Sequence, residues 1–126
     1  MMEKKHDFAV ALKDTDEIIG KLHFDDDQLR YGVNSVDIAY WLGEEYTGKG
    51  YMTEALTAFI GYLFGTAGYD IITARVLAPN TASQSLLKRL GFTQEGYLRK
   101  ALEYNGVIYV DIPFSLLKKE FYASHK

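Results

Sequence analysis

The stretch from Leu42 to Phe64, LGEEYTGKGYMTEALTAFIGYLF, decides how the rest of the chain is read. A strand ends at Trp41 or Leu42, a turn-rich loop runs from Gly43 to Lys49, and a helix opens near Gly50. Met52, Ala55, Leu56, Phe59, Ile60, Leu63 and Phe64 recur at the i, i+3, i+4, i+7 spacing of an amphipathic helix whose apolar stripe faces a core. Gly65 and Gly68 are expected to stop it. A loop carrying Gly43, Gly48 and Gly50 ahead of a helix offers unpaired backbone N–H groups and the positive end of the macrodipole, a place suited to phosphate.

Two common phosphate motifs do not fit. A P-loop needs Lys and then Ser or Thr after its second glycine, and Gly50 is followed by Tyr51. A dinucleotide fingerprint needs Gly or Ala at position 53, which is Thr53. It also wants an acid at the end of the next strand, whereas Asp70 precedes that strand.

Outward from this stretch, the chain reads as a single domain over residues 1–126, long enough for a proper core. The net charge of −3 supplies no basic excess to neutralise phosphates, so nucleic acid is not an expected partner. The absence of Cys excludes disulfides, thiolate metal sites and a cysteine acyl-enzyme. His6, His23 and His125 show no metal-ligand spacing, so no metal is expected. MMEKKHDF lacks the apolar run of a signal peptide and no stretch approaches a membrane span, which reads as a cytoplasmic protein with no membrane partner.

Residues 8–13 (FAVALK) and 18–24 (IIGKLHF) flank Asp14-Thr15-Asp16-Glu17 and read as a hairpin, with Ile18, Gly20, Leu22 and Phe24 on one face. A polar loop follows over 25–35, then strand 36–42, the central loop and helix, and strand 71–77. Asn80 is placed to cap a short helix through Leu90, with Leu86, Leu87 and Leu90 inward and Gly91 just past its end. Strands over roughly 93–104 and 107–114 meet at Asn105-Gly106, a strong hairpin signal. Pro113 cannot donate to a ladder, so a bulge or the strand's end is expected there. Leu116 to Tyr122 reads as a final turn or two of helix. This order gives an α+β fold with a mixed sheet.

Two segments carry a resemblance. Glu45-Tyr46-Thr47-Gly48-Lys49-Gly50 resembles motif A of the GNAT superfamily of N-acetyltransferases, Gln/Arg-x-x-Gly-x-Gly/Ala, which binds the pyrophosphate of acetyl-coenzyme A; Glu45 departs from its first position. ARVLAPNTASQSLLKRLGF, residues 74–92, resembles the other half of that cofactor site in the RimJ- and RimL-like branch, through Asn80, Ser83 and Gly91-Phe92, together with Tyr51-Met52-Thr53-Glu54-Ala55. The resemblance runs from about Phe8 to the C-terminus.

It implies a GNAT-like mixed, mostly antiparallel sheet flanked by helices, whose central strands 36–42 and 71–77 splay apart so that pantetheine lies between them. Leu42 and Gly43 would then bond the pantetheine amides, one of their N–H groups serving as an oxyanion donor. Gly48, Lys49, Gly50, Tyr51 and Met52 would hold the pyrophosphate, Lys88 and Arg89 would reach the 3′-phosphate, and Asn80 would either cap its helix alone or also contact the cofactor. Many family members place a proton-donating tyrosine seven residues after the asparagine, where this chain has Leu87. The RimL-like alternative is a serine three residues after it, here Ser83, which either assists the leaving thiolate or is a first-turn helix residue. Asp37 and Glu44 are the candidate bases for the acceptor amine, against a purely solvated role for each.

The expected function is N-acetyltransfer from acetyl-coenzyme A to a primary amine by direct attack in a ternary complex; the resemblance makes a protein N-terminus the leading acceptor, with a small amine such as a polyamine or aminoglycoside as the alternative. The rival is an acyl-coenzyme A binding module without catalysis. The resemblance also implies a strand and two helices ahead of the position matching Phe8, which this sequence does not carry. A homodimer through residues near 8–24 or the 93–114 hairpin is expected to cover the resulting edge.

Overall fold

A computed structural model describes residues 6–124. Seven strands form one mixed sheet, β1 (Asp7–Ala11), β2 (Ile18–Asp26), β3 (Ser35–Leu42), β4 (Ile71–Leu77), β5 (Thr93–Gln94), β6 (Leu98–Tyr104) and β7 (Val107–Leu117), with helices α1 (Tyr51–Gly65), α2 (Thr81–Arg89) and α3 (Lys118–Ser124). The spatial order is β1-β2-β3-β4-β7-β5, with β6 also on β7. Among the described residues, only β3 and β4 run parallel, because α1 crosses between them; every other described pairing is antiparallel.

The parallel ladder is short. It pairs Ser35–Ile38 with Ile71–Ala74 and stops there, so Ala39–Leu42 and Arg75–Leu77 diverge. This is the splay implied by the resemblance. On one side of the sheet, Val36 and Ile38, Ile72, Ala74 and Val76, and Ile112, Phe114 and Leu116 join a single apolar cluster with all three helices. Leu56, Ile60, Leu63 and Phe64 of α1 are fully buried in it, each worth about 1.5–3 kcal/mol relative to exposure. Phe121 of α3 closes the cluster against Phe64.

The other face is polar. Alternation along the strands puts Asp37, Thr73, Arg75, Asp111 and Ser115 there. The loop after β2 is pinned to the sheet by Arg30, which pairs with both Asp27 and Glu95.

Three expectations are corrected. Ile18 does not share a face with Gly20, Leu22 and Phe24. The register slips between Val10↔Gly20 and Ala11↔Ile18, Ile19 becomes the extra residue and is buried, and Ile18 is 69% exposed. Residues 93–104 are not one strand: Gly96 (φ 149°) falls in the break between β5 and β6, and the positive-φ Lys100 falls where the register of β6 against β7 shifts between Leu98 and Leu102. Pro113 neither bulges nor ends its strand. Its carbonyl accepts from Glu95 N–H at 2.8 Å, so its missing N–H falls at the break between β5 and β6, where no rung is lost.

β1 is the terminal strand of the described sheet. Its Phe8 and Val10 turn inward rather than outward, with Phe8 stacked near Phe24, Phe59 and Tyr62. The apolar side of the sheet is thus covered by α1 at this edge. No described helix is long and apolar enough to cross a membrane. His125 lies outside the described residues.

Candidate active site

The divergence of β3 and β4 opens a cleft of about 740 Å³, within the range of small-molecule sites. Its walls are Ile38–Leu42 of β3 and Arg75–Leu77 of β4, residues of both sheet faces. One end is formed by Thr47, Gly48, Gly50 and the first turn of α1, and one side by Asn80, Ser83, Leu86 and Arg89 from the start and outer face of α2.

The loop end suits phosphate for reasons visible in its backbone. Gly48 and Gly50 hold φ of +76° and +81°, a region that L side chains rarely adopt, and a Cβ at either would meet nothing within 4 Å. Gly50 is the N-cap of α1 and supplies no side chain, so first-turn N–H groups have no side-chain cap. Open space, donor groups and the positive end of a 15-residue helix coincide here. The residues present therefore fit a pyrophosphate.

Along β3, strand alternation directs N–H and C=O groups in turn to β2 and to β4. Gly43 N–H donates to Ile19 O at 2.8 Å, towards β2. The backbone groups of Tyr40 and Leu42 consequently face β4, beyond the last rung at Ile38↔Ala74. This corrects the expectation for Gly43: its N–H is engaged and cannot serve as an oxyanion donor, which leaves Leu42. A Cβ at Gly43 would lie 3.2 Å from the ring of Tyr46, which packs across it. The Tyr46 hydroxyl in turn donates to the Glu17 carboxylate, which pushes its pKa up to about 12 and ties the loop to the β1–β2 turn.

Asn80 does cap α2. Its Oδ1 accepts from Ser83 N–H at 3.1 Å, which leaves the amide nitrogen as a donor on the cleft side. Ser83 Oγ is hydrogen-bonded to the hydroxyl of Tyr40, reaching across from β3. Burial pushes the Tyr40 phenol up from its ordinary value, partly offset by the Ser83 bond. Tyr40 was not singled out from the sequence. Leu87, at the position where many family members have tyrosine, is fully buried in the core and offers the cleft nothing.

Of the expected cofactor residues, Leu42, Gly48, Gly50, Tyr51, Met52, Asn80, Ser83 and Arg89 line the cleft, whereas Gly43, Lys49 and Lys88 do not. Neither candidate base lines it. Glu44 is exposed on the short 3-10 turn Glu44–Tyr46. Asp37 sits one residue before the last parallel rung, on the polar face, where it accepts from Thr73 Oγ1 at 2.8 Å. Burial raises its pKa, with the Thr73 bond and the Arg75 charge acting in the opposite direction. Arg75 pairs with Asp111 at 3.8 Å on the same face.

Residues 1–93 match the family model of the acetyltransferase (GNAT) domain. The chain belongs to the GNAT family. It is 39% identical over 99 residues to the [ribosomal protein uS5]-alanine N-acetyltransferase of Escherichia coli K12, an alignment covering 79% of this chain and 50% of that protein. Among solved structures, the ribosomal-protein-S5-alanine acetyltransferase of Vibrio fischeri superposes with a TM-score of 0.82 at 30% identity, over 91% of this chain and 62% of that one. A mutant form of the spermidine/spermine N-acetyltransferase SpeG of Vibrio cholerae superposes with a TM-score of 0.84 at 20% identity, over 95% and 70%, which is a likeness of fold alone. The chain spans about 50–63% of the length of the first curated relatives it matches.

Proposed function

We propose that this enzyme acetylates a primary amine at the terminus of a protein, by direct attack within a ternary complex. The observation that carries the reading is the β3–β4 cleft, whose walls come from both sheet faces and whose end is the glycine-bearing start of α1. Acetyl-coenzyme A supplies an activated acyl group. Gly48, Gly50 and the N–H groups of Tyr51 and Met52 hold its pyrophosphate, Arg89 answers the remaining phosphate charge, and Asn80 donates along the cleft. The N–H of Leu42, free of the β2 ladder, would be the backbone donor available to a thioester carbonyl.

The acceptor enters from the polar face. Asp37 is the better base of the two candidates, because burial raises its pKa towards the range a general base needs and Glu44 stands on an exposed turn. Its carboxylate reaches the amine through water. Asp111 beside it adds negative charge for a cationic acceptor. The protein-terminus reading follows the 39% identical relative that acts on uS5 alanine, whereas the spermidine enzyme shares only the fold.

Assembly as a cytoplasmic homodimer completes the proposal. β1 leaves one edge of the described sheet unpaired, and Tyr104, Val107 and Ile108 at the β6–β7 tip are more than half or about half exposed. The acceptor class is tested by competition. Peptides with free Ala or Ser termini and spermidine are offered together with acetyl-coenzyme A, and products are weighed by mass spectrometry. Preferential peptide acetylation supports the reading; preferential spermidine acetylation replaces it with the small-amine alternative.

A further inference from the structure

The side chain of Asp27 is only 3% exposed, although it stands in the loop that follows β2. It accepts from Leu29 N–H at 2.9 Å and from Ser35 Oγ at 2.9 Å, and the Arg30 guanidinium lies 3.7 Å away. Ser35 shares its face of β3 with Asp37. Glu95, the other partner of Arg30, stands by alternation on that same face, just after Thr93 and Gln94. The loop and the Arg30 side chain together therefore reach across the polar face, over β4 and β7, from the β3 side of the sheet to the β5 side. Beneath this strap the register aligns Asp37, Thr73, Ser115 and Thr93 in one row across four strands. Thr73 is 2% and Ser115 6% exposed, even though all three described helices pack against the opposite face. Asp37 is half-buried, whereas Ala39, two residues further along β3, is exposed. The cover ends at Asp37.

We propose that Arg30 is a positioning residue for the acceptor half of the reaction: by strapping the β2–β3 loop to Glu95 it closes the space behind Asp37 and turns that carboxylate towards the cleft mouth at Ala39 and Trp41. This rests on the acetyl-transfer reading above, with Asp37 as the base. Thr73 Oγ1 holds one carboxylate oxygen of Asp37 at 2.8 Å, which leaves the other for the water that carries the amine's proton. A carboxylate shielded from water on one side is more basic than a free one, which suits it to take a proton from an ammonium group. Burial is the largest influence on Asp37 and raises its pKa. The charged groups around it are Asp25 opposite on β2 with His23 next along, Arg75 on β4, Asp111 on β7, and Asp27, Arg30 and Glu95 of the strap itself. Glu95 is the informative place to cut. Losing its charge and losing the cover both lower the pKa of Asp37, whereas losing Arg30 would leave the charge of Asp27 unopposed and push it back up.

The test compares wild type, Glu95→Ala and Glu95→Gln, with acetyl-coenzyme A and a peptide bearing a free N-terminal Ala, and thermal melting confirms that each variant folds. In Glu95→Ala, amide hydrogen exchange across residues 27–34 should quicken as the strap opens. Its kcat should fall roughly 3- to 30-fold, part of the about 10²- to 10⁴-fold that a placed base contributes, with KM for acetyl-coenzyme A within about twofold. The acidic limb of its kcat/KM profile for the peptide should move to lower pH, towards the ordinary carboxylate value of 3.8. Glu95→Gln still offers Arg30 an acceptor and should recover part of both effects. Carbon-13 titration of the Asp37 carboxyl group reads the same shift without turnover. Faster exchange in the loop with the limb and the Asp37 titration unmoved would overturn the proposal, as would full kcat in Glu95→Ala or a lowered melting temperature as its only change. A wild type that binds coenzyme A but acetylates no amine would defeat the acetyl-transfer reading instead, and the carboxyl titration would still decide whether the strap sets the surroundings of Asp37.

Discussion

Gly50 separates charge from shape at the phosphate end of the cleft. Its φ of +81° and ψ of 0° place it in the left-handed region, and a Cβ there would meet nothing within 4 Å. Asn and Asp are the residues that best tolerate this region, and they are nearly equal in size. Both Gly50→Asn and Gly50→Asp should therefore fold, each losing about 1 kcal/mol to the backbone. As an N-cap, Asp should make α1 slightly more stable than Asn does, by about 0.3–1 kcal/mol from the macrodipole. Cofactor affinity should move the other way. A carboxylate about 4 Å from a phosphate charge costs about 1 kcal/mol in a water-like setting, which this exposed loop resembles. Two pyrophosphate charges give about 2 kcal/mol, or roughly 30-fold in Kd between the two variants. Calorimetry with coenzyme A at low salt reads that ratio directly. Screening shortens the reach of the charge to about 3 Å at 1 M salt, so the ratio should collapse there. Equal affinities of the two variants at low salt would refute the phosphate assignment.

Asp37→Asn tests the buried carboxylate. A raised folded-state pKa means that the native protein binds more protons than the unfolded chain between the ordinary value of 3.8 and the shifted one, so stability is lost as pH rises through that window. The variant should therefore gain stability relative to wild type at pH 7 compared with pH 4, as read by melting; a difference independent of pH would contradict this. Leu87→Tyr should not install the tyrosine found in other family members. The site is fully buried, and overpacking it should cost about 1–3 kcal/mol in a denaturant titration, with no rise in kcat; a stable, faster enzyme would contradict the placement. Asn80→Ala should destabilise by about 0.5–2 kcal/mol through loss of the α2 cap and also weaken acetyl-coenzyme A binding; loss of stability alone would return Asn80 to capping only.

Elements governed by local chemistry were legible in the sequence. The α1 stripe, the Asn80 cap, the left-handed Gly91 and the Asn105-Gly106 turn each follow from residues a few positions apart, and each is present. What escaped was set by partners distant in sequence. The bulge that exposes Ile18 depends on how β1 registers against β2. Pro113 is tolerated because the neighbouring strand, not its own, breaks. Gly43 looked like an oxyanion donor, but its N–H is held by a ladder bond to Ile19. Tyr40 carries no local motif, although alternation alone could have placed it on the helix side of β3. Its bond to Ser83 needed the splay and α2 together.

On the reading proposed above, the β3–β4 cleft carries acetyl from coenzyme A to an amine. The most direct measurement supplies isotopically labelled acetyl-coenzyme A and a peptide with a free N-terminal Ala, and follows labelled peptide and released thiol together. Equal amounts of both, formed by wild type and reduced in Ser83→Ala, are the predicted result. Tight cofactor binding with neither product formed, on the peptide or on any amine tried, would contradict the account.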